Sequence, residues 1–251
     1  MILPSSKDAV HKAWLYRLLS AIAEDSFLTG ALYFKGGTCA AMRGLLDRFS
    51  IDLDFDLLAR GDEAVKVRKN LEKIFLNLGL EIKDKSRNVP QYFLRYPAGA
   101  EERNTLKIDI TTDPPESNKY EPVRLNDIDR IMNCQTVETM FANKLVALMD
   151  RFEKNNSIAG RDLYDIHYFF LRGFRYNDKV IAERRKTGIK QFFSSLISFV
   201  EKNISLTIID QDLNVLLPYD KFIKIRKNLK SETLIFLKDE LKRLGESKNL
   251  S

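Results

Sequence analysis

The stretch Ser50-Ile51-Asp52-Leu53-Asp54-Phe55-Asp56 decides the fold, because its apolar and acidic residues alternate strictly. A period of two is that of a β-strand, so the three aspartates share one face and the apolar residues share the other. Residues 105–112 repeat the pattern, with Leu106, Ile108 and Ile110 facing one side, and Lys107 and Asp109 facing the other. We therefore predict two amphipathic strands that each present carboxylates on one sheet face.

The neighbouring segments predict the rest of the architecture. Further strands are expected at 31–34, 80–84 and 91–96. Helices are expected at 5–25, from the end of Lys35-Gly36-Gly37-Thr38 to about Leu46, and at 62–78. The segment from Asp113-Pro114-Pro115 to about residue 125 is polar and turn-rich, and the chain beyond it looks almost wholly helical. Strands in the first half and helices in the second predict an α+β fold, with a mixed α/β domain over 1–120 and a helical domain over 121–251.

Composition narrows the class of protein. The 251 residues are 44% hydrophobic and 30% charged, as in ordinary soluble proteins, and the net charge of +6 favours a polyanionic partner or a solvated basic surface. Two cysteines, Cys39 and Cys134, cannot form a disulfide framework, and with two histidines they make a zinc site improbable. Because the sequence shows no signal peptide and no apolar run long enough for a bilayer, we expect a cytoplasmic protein without a membrane partner.

The carboxylates predict a metal site. Asp52 and Asp54 lie one pleat apart on one face and repel each other unless a cation lies between them. Mg²⁺ prefers hard oxygen ligands, and Asp109 supplies a third carboxylate if the two strands are neighbours. Three carboxylates can hold two ions roughly 4 Å apart, the arrangement used in phosphoryl transfer. The alternative is that an Asp-x-Asp strand simply presents a solvated face.

A glycine pair precedes this strand, in Lys35-Gly36-Gly37-Thr38. Adjacent glycines after a strand let the backbone approach a phosphate, and a following helix directs its first amides at the anion. Alone, the motif is also typical of a plain strand-to-helix turn. Combined with Asp-x-Asp on the next strand, it favours a site for a phosphorylated ligand.

The segment from Phe34 to Thr38 together with Arg48-Phe49-Ser50-Ile51-Asp52-Leu53-Asp54-Phe55 resembles the signature of the AbiEii/AbiGii-type toxin family. These proteins are nucleotidyltransferases of the DNA polymerase β-like superfamily. The similarity extends to Asn143-Lys144-Leu145 and to residues 161–166, so it covers roughly residues 30 to 170. The resemblance implies a nucleotidyltransferase-fold mixed sheet with flanking helices, followed by helices.

The resemblance also implies roles for individual residues. Asp52 and Asp54 would bind Mg²⁺, and Asp109 would act as the third carboxylate or as the base for the acceptor hydroxyl. The expected nucleotide-binding residues are Lys35, Gly36, Gly37, Thr38, Arg48, Ser50 and Lys144. The expected catalytic residues are Asp52, Asp54, Asp109, Lys144, Asp162 and Asp165.

The residues of the second half permit simpler interpretations. On a helix, Lys144 shares a face with Leu148 and Arg151, and by itself it could be a solvated lysine. Asp162 lies beside a buried stripe and could pair with the adjacent Arg161 within its own helix. His167 falls within the stripe and is expected to be a core histidine.

Two basic segments, residues 184–186 and 221–230, are either solvated surface or a track for RNA phosphates. The resemblance favours RNA, since it implies nucleotide addition to tRNA 3′ ends and a cognate antitoxin. We therefore expect a Mg²⁺-dependent toxin that transfers a nucleotide from a nucleoside triphosphate to RNA, the tRNA 3′ end in particular. The alternatives are transfer to a protein or small-molecule hydroxyl, and an inactive nucleotide-binding module of the same fold. The carboxylates, the glycine pair and Lys144 argue against the inactive module.

Overall fold

The computed structural model describes residues 1–58, 63–99 and 102–246. Over these residues the chain has a mixed α+β fold with a seven-stranded sheet, and the predicted fold class is confirmed. Residue 62, the first residue of the predicted helix 62–78, lies outside the described part of the chain.

The chain divides into two compact units. The sheet unit comprises Met1–Pro114 and Asn118–Thr136, and the helical unit comprises Pro115–Ser117 and Val137–Ser251. The break therefore follows Thr136 instead of residue 120, where we predicted it. The reason is that residues 120–135 form two strands that complete the sheet, and the prediction of helix from about residue 125 was wrong here.

The strands of the sheet unit run in the order β3-β4-β5-β2-β1-β7-β6. Their bounds are β1 Leu32–Lys35, β2 Asp52–Leu57, β3 Glu81–Lys85, β4 Gln91–Arg95, β5 Thr105–Thr111, β6 Tyr120–Leu125 and β7 Arg130–Gln135. The pairs β2–β5 and β1–β7 are parallel, and the other neighbours are antiparallel. The two strands that carry the predicted carboxylates are thus direct neighbours.

Four helices belong to the described part of the sheet unit. They are α1 Asp8–Glu24, α2 Ser26–Ala31, α3 Gly36–Met42 and α4 Glu63–Asn77. Helix α1 buries Leu15, Leu18 and Ile22 at helical spacing and packs against β2 and β5. The apolar residues of these strands are buried, so the acidic face is the one turned away from this core.

Seven described helices form the helical unit. They are α5 Val137–Asn155, α6 Gly160–Leu171, α7 Asp178–Arg185, α8 Ile189–Asn203, α9 Leu206–Leu213, α10 Tyr219–Ile225 and α11 Leu229–Glu246. Helix α5 packs on α6, α7 and α8, and α11 packs on α6 and α8. In the described ranges, no helix taken singly is both long and apolar enough to cross a bilayer, whereas α8 and α9, bent by 91°, meet the length and composition criteria as a pair.

Asp56, the last aspartate of the alternating stretch, ties the strands of the sheet unit together. Its side chain is fully buried and pairs with the Lys35 ammonium at 2.5 Å. It also accepts hydrogen bonds from the Tyr120 hydroxyl at 2.8 Å and the Gln135 amide at 2.6 Å. Burial and the neighbouring Asp56 carboxylate raise the pKa of Tyr120, which therefore stays a hydrogen-bond donor. Asp56 thus links β2 to β1, β6 and β7.

We expect Asp56→Asn to lower the free energy of unfolding by about 2 kcal/mol, because it leaves the Lys35 ammonium without its buried counter-charge. This is less than the cost for two fully buried charges, since the Lys35 side chain is 21% exposed. Urea unfolding followed by circular dichroism measures the change. Asp84→Asn, an exposed position on β3, is the control, and equal midpoints for the two variants would contradict the role of Asp56.

Candidate active site

The carboxylates of β2 and β5 meet through the sheet register. Asp54 lies directly opposite Asp109, and Asp52 lies opposite Lys107. Paired residues of neighbouring strands project to the same face, so Asp52, Asp54 and Asp109 share one surface of the sheet. All three are neither fully buried nor fully exposed.

Gly36 leaves room beside the Asp54 carboxylate. Its φ is +77°, in the left-handed region that favours glycine, and it stands at the junction of β1 and α3. A Cβ atom at this position would lie 2.3 Å from Asp54 Oδ2. The glycine therefore permits the close approach of the β1–α3 turn to this carboxylate.

Gly37 and Thr38, the next residues of the motif, lie against side chains and backbone at the start of β2. A Cβ atom on Gly37 would lie 2.8 Å from both Arg48 Nη2 and Ser50 Oγ. Arg48 is 2% exposed and donates to the Phe49 carbonyl. The buried Thr38 hydroxyl donates to the Asp52 carbonyl. Arg48 and Ser50 thus lie close to Gly37, and the Thr38 hydroxyl bonds the turn to the start of β2.

Lys35 is engaged elsewhere. Its ammonium lies 2.5 Å from Asp56 Oδ1 and 2.7 Å from Thr111 Oγ1, although its register partner is Asp54. The family resemblance implied that Lys35 is one of the nucleotide-binding residues. The contacts give it a structural role as the counter-charge of Asp56.

Asp109 has two partners that the sequence analysis did not single out. Its Oδ2 accepts from Lys107 Nζ at 2.7 Å and from Gln91 Nε2 at 3.0 Å. The signal for Lys107 was present, since it lies two residues before Asp109 on the same strand face. Gln91 could be found only from the β4–β5 register, which sets it opposite Asp109.

The donor atoms fit a divalent cation by their chemistry, because carboxylate oxygens are the hard ligands that Mg²⁺ prefers. Within the described ranges, no three His, Cys, Asp or Glu side chains already converge as a metal site. Asp109 is turned towards Lys107 and Gln91, so a cation shared with Asp54 requires that this carboxylate reorient.

A second cluster lies within the helical unit. Lys144 Nζ of α5 lies 2.8 Å from Asp162 Oδ1 and 2.9 Å from Asp165 Oδ2 of α6. Arg151, two turns further along α5, lies 2.8 Å from Asp162 Oδ2. Both aspartates are fully buried. They therefore fix the position of the Lys144 ammonium, and Lys144 and Arg151 reach Asp162 from the same face of α5.

The charge state of Asp162 follows from these partners. Burial raises the pKa of this carboxyl, but the charges of Lys144 and Arg151 outweigh burial, and the pKa lies well below its usual value. A depressed folded-state pKa stabilises the protein above the ordinary aspartate value of about 3.9. This stabilisation is lost as the pH falls through the folded-state pKa.

The contacts of Arg161 and His167 decide between the interpretations that the sequence permits in this region. Arg161 pairs with Asp212 at 3.5 Å, so the intrahelical pair with Asp162 is not the main interaction. His167 is 3% exposed and lies 2.8 Å from Glu232, and it is a core histidine with a partner, as expected.

The basic segments are largely occupied by internal partners. Arg184 and Arg185 of α7 lie 2.6 and 2.7 Å from Asp150 of α5. In the second segment, Arg226 pairs with Asp210, and Lys230 donates to two backbone carbonyls. These contacts favour a structural role for the charges and weaken the argument for a continuous RNA track.

We expect Gly36→Ala to destabilise the sheet unit by on the order of 1–2 kcal/mol from the left-handed backbone alone. The added methyl group must also displace the Asp54 carboxylate, so nucleotide binding measured by calorimetry should weaken. Gly30→Ala is the control, since a Cβ at Gly30 meets nothing within 4 Å. Wild-type stability and binding in Gly36→Ala would show that the turn does not need glycine here.

We expect Lys144→Met to lower the free energy of unfolding by roughly 3 kcal/mol, because it leaves two buried carboxylates with less positive charge. Chemical denaturation at pH 7 measures this change. Lys154→Met, at an exposed position on the same helix, removes the same charge and should have little effect. If both variants unfold at the same midpoint, the cluster does not stabilise the helical unit.

Comparisons with known proteins identify the family of the chain. The chain matches the sequence profile of the family described as nucleotidyl transferase AbiEii toxin, type IV TA system, over residues 17–223. No curated protein matches the sequence.

Solved structures share the fold at low sequence identity. The crystal structure of JHP933 from Helicobacter pylori is 22% identical with a TM-score of 0.58 and covers 99% of each chain. An inferred nucleotidyltransferase from H. pylori is 20% identical with a TM-score of 0.59, over 96% of this chain and 98% of that one. An antigenic nucleotidyltransferase-like protein from Paracoccidioides brasiliensis is 14% identical with a TM-score of 0.50, over 84% and 96%. These likenesses show a nucleotidyltransferase fold.

The family match spans most of the 251 residues and includes the glycine pair, both strand carboxylate sets and the Lys144 cluster. Membership implies a nucleoside triphosphate substrate and a partner antitoxin. The chain belongs to the AbiEii toxin family and is a nucleotidyltransferase of a toxin–antitoxin system.

Proposed function

We propose that the chain binds Mg²⁺ and a nucleoside triphosphate at Asp52, Asp54 and Asp109 and transfers the nucleotide to RNA, with the tRNA 3′ end as acceptor. The observation that carries this proposal is the parallel register of β2 and β5, which sets Asp54 opposite Asp109 beside the Gly36 turn. Clustered carboxylates beside a glycine turn, where no side chain covers the backbone, favour a site for a metal-bound triphosphate over the alternative of a merely solvated strand face.

The transfer is an in-line substitution at phosphorus. The acceptor hydroxyl oxygen forms a bond to the α-phosphorus, the bond from that phosphorus to the bridging oxygen breaks, and pyrophosphate leaves. Asp109 takes the hydroxyl proton. Bound Mg²⁺ supplies neutralisation of the charge that develops on the attacking and leaving oxygens.

The remaining site residues hold the substrate. The backbone of Gly36 and Gly37 lies against the triphosphate, with Arg48 and Ser50 close to Gly37 and the Thr38 hydroxyl bonded to the start of β2. Lys144 neutralises phosphate charge, and the role of Asp162 and Asp165 is to hold its ammonium in position. Their burial and their distances of 2.8 and 2.9 Å from Lys144 Nζ support this positioning role.

The proposals for the acceptor and for the cellular compartment are based on family membership and on the net charge of the chain. A net charge of +6 favours a polyanion such as tRNA, although Arg184, Arg185 and Arg226 are paired internally. We propose that the toxin acts in the cytoplasm, where nucleoside triphosphates and tRNA are present, and that its antitoxin restrains it there.

The test is incubation with each of the four α-labelled nucleoside triphosphates, Mg²⁺ and total tRNA, followed by a denaturing gel. We expect one nucleotide to label tRNA, and Asp52→Ala or Asp54→Ala to lower labelling at least about 100-fold while circular dichroism stays unchanged. The control is Asp84→Ala, an exposed aspartate of β3 in the same sheet, which should label tRNA like the wild type.

Each other outcome has a definite meaning. Near-wild-type labelling by Asp52→Ala or Asp54→Ala would refute the metal assignment. If the label appears in the protein or small-molecule fraction of a cell extract and not in RNA, the acceptor is a protein or a small molecule and not RNA. Failure to bind Mg²⁺ and nucleotide in calorimetry would leave an inactive module of the fold.

A further inference from the structure

Lys107 is the one described strand residue that brings a positive charge directly onto Asp109. Its Nζ lies 2.7 Å from Asp109 Oδ2, and Gln91 donates to the same oxygen at 3.0 Å. The side chains of Lys107 and Asp109 are 29% and 34% exposed, so solvent and ions reach the pair. In the proposed function, this carboxylate is also the third ligand of the metal.

The register makes Lys107 a strand neighbour of the other two proposed ligands as well. Lys107 lies opposite Asp52, and Asp109, two residues further along β5, lies opposite Asp54. An ammonium ion and a metal ion on one carboxylate oxygen repel each other, because both carry positive charge at short distance. Contact of Lys107 with Asp109 Oδ2 therefore opposes the binding of a metal ion to this oxygen.

We infer that Lys107 is a built-in competitor for the metal at Asp109. In the nucleotide-free protein its ammonium holds Asp109 and weakens cation binding to the three carboxylates. Entry of the metal with the triphosphate displaces the ammonium towards the incoming phosphate charge. This inference rests on the proposed metal site and adds a positioning residue to it.

The experiment is a titration of the nucleotide-free protein with Mn²⁺. Binding is measured in two ways, by calorimetry and by the electron paramagnetic resonance signal of free Mn²⁺. We expect Lys107→Met to bind Mn²⁺ at least about fivefold more tightly than the wild type, because a nearby repelling charge is gone. We expect Lys107→Arg to bind like the wild type, since it keeps the charge.

Lys83→Met is the matched control. Lys83 is an exposed residue of β3, and β4 separates that strand from β5, so the variant has the same change in net charge without the contact to Asp109. It should bind Mn²⁺ like the wild type. Circular dichroism confirms that each variant is folded before titration.

Three results would overturn the inference. Equal Mn²⁺ affinity in the wild type and Lys107→Met, with binding lost in Asp54→Ala, would remove the role of Lys107 and leave the metal site standing. If Lys107→Met and Lys107→Arg both bind Mn²⁺ more tightly than the wild type, the affinity depends on the shape of the side chain at position 107 and not on its charge. Absence of Mn²⁺ binding in every protein, the wild type included, would reject the metal site and the inference together.

Discussion

The parallel pairing of β2 with β5 is the constraint on which the site depends. The apolar residues Leu53 and Ile108 are paired in the same register and fully buried, so the core fixes that register. A slip of one residue would turn Asp109 into the core and expose its apolar neighbours. The position of Asp109 beside Asp54 is therefore maintained by hydrophobic burial on the opposite face and needs no attraction between the acids themselves.

Two buried aspartates, Asp56 and Asp162, are paired with nearby cations, as Asp109 is with Lys107. Asp56 is neutralised by Lys35 within the sheet unit, and Asp162 by Lys144 and Arg151 within the helical unit. The difference lies in burial, because Asp56 and Asp162 are inaccessible to solvent, whereas Asp109 and its partner are partly exposed. Removal of the cation from a fully buried carboxylate destabilises the fold, whereas a partly exposed pair can exchange its cation for another.

Much of the sheet could be predicted from the sequence, because β2 and β5 alternate without interruption. The β6–β7 hairpin was missed for physical reasons. β6 is an edge strand that contains Pro122, and it has one buried residue, Leu125, among its six, so it carries little alternation. The candidate site residues came from the two motifs and from the family resemblance, and neither indicated their partners. That the Lys35 ammonium serves Asp56, and that Gln91 reaches Asp109, depends on contacts between strands far apart in sequence.

The central claim is that Asp52, Asp54 and Asp109 bind a divalent cation beside a nucleotide. The most direct measurement is a crystal structure with Mn²⁺ and a non-hydrolysable nucleoside triphosphate, in which anomalous scattering locates the metal. We predict an anomalous peak within coordination distance of carboxylate oxygens from both Asp54 and Asp109, roughly 2–2.3 Å from each, with a phosphate oxygen on the same ion. A nucleotide bound with its metal elsewhere, and Asp109 still paired with Lys107, would contradict it.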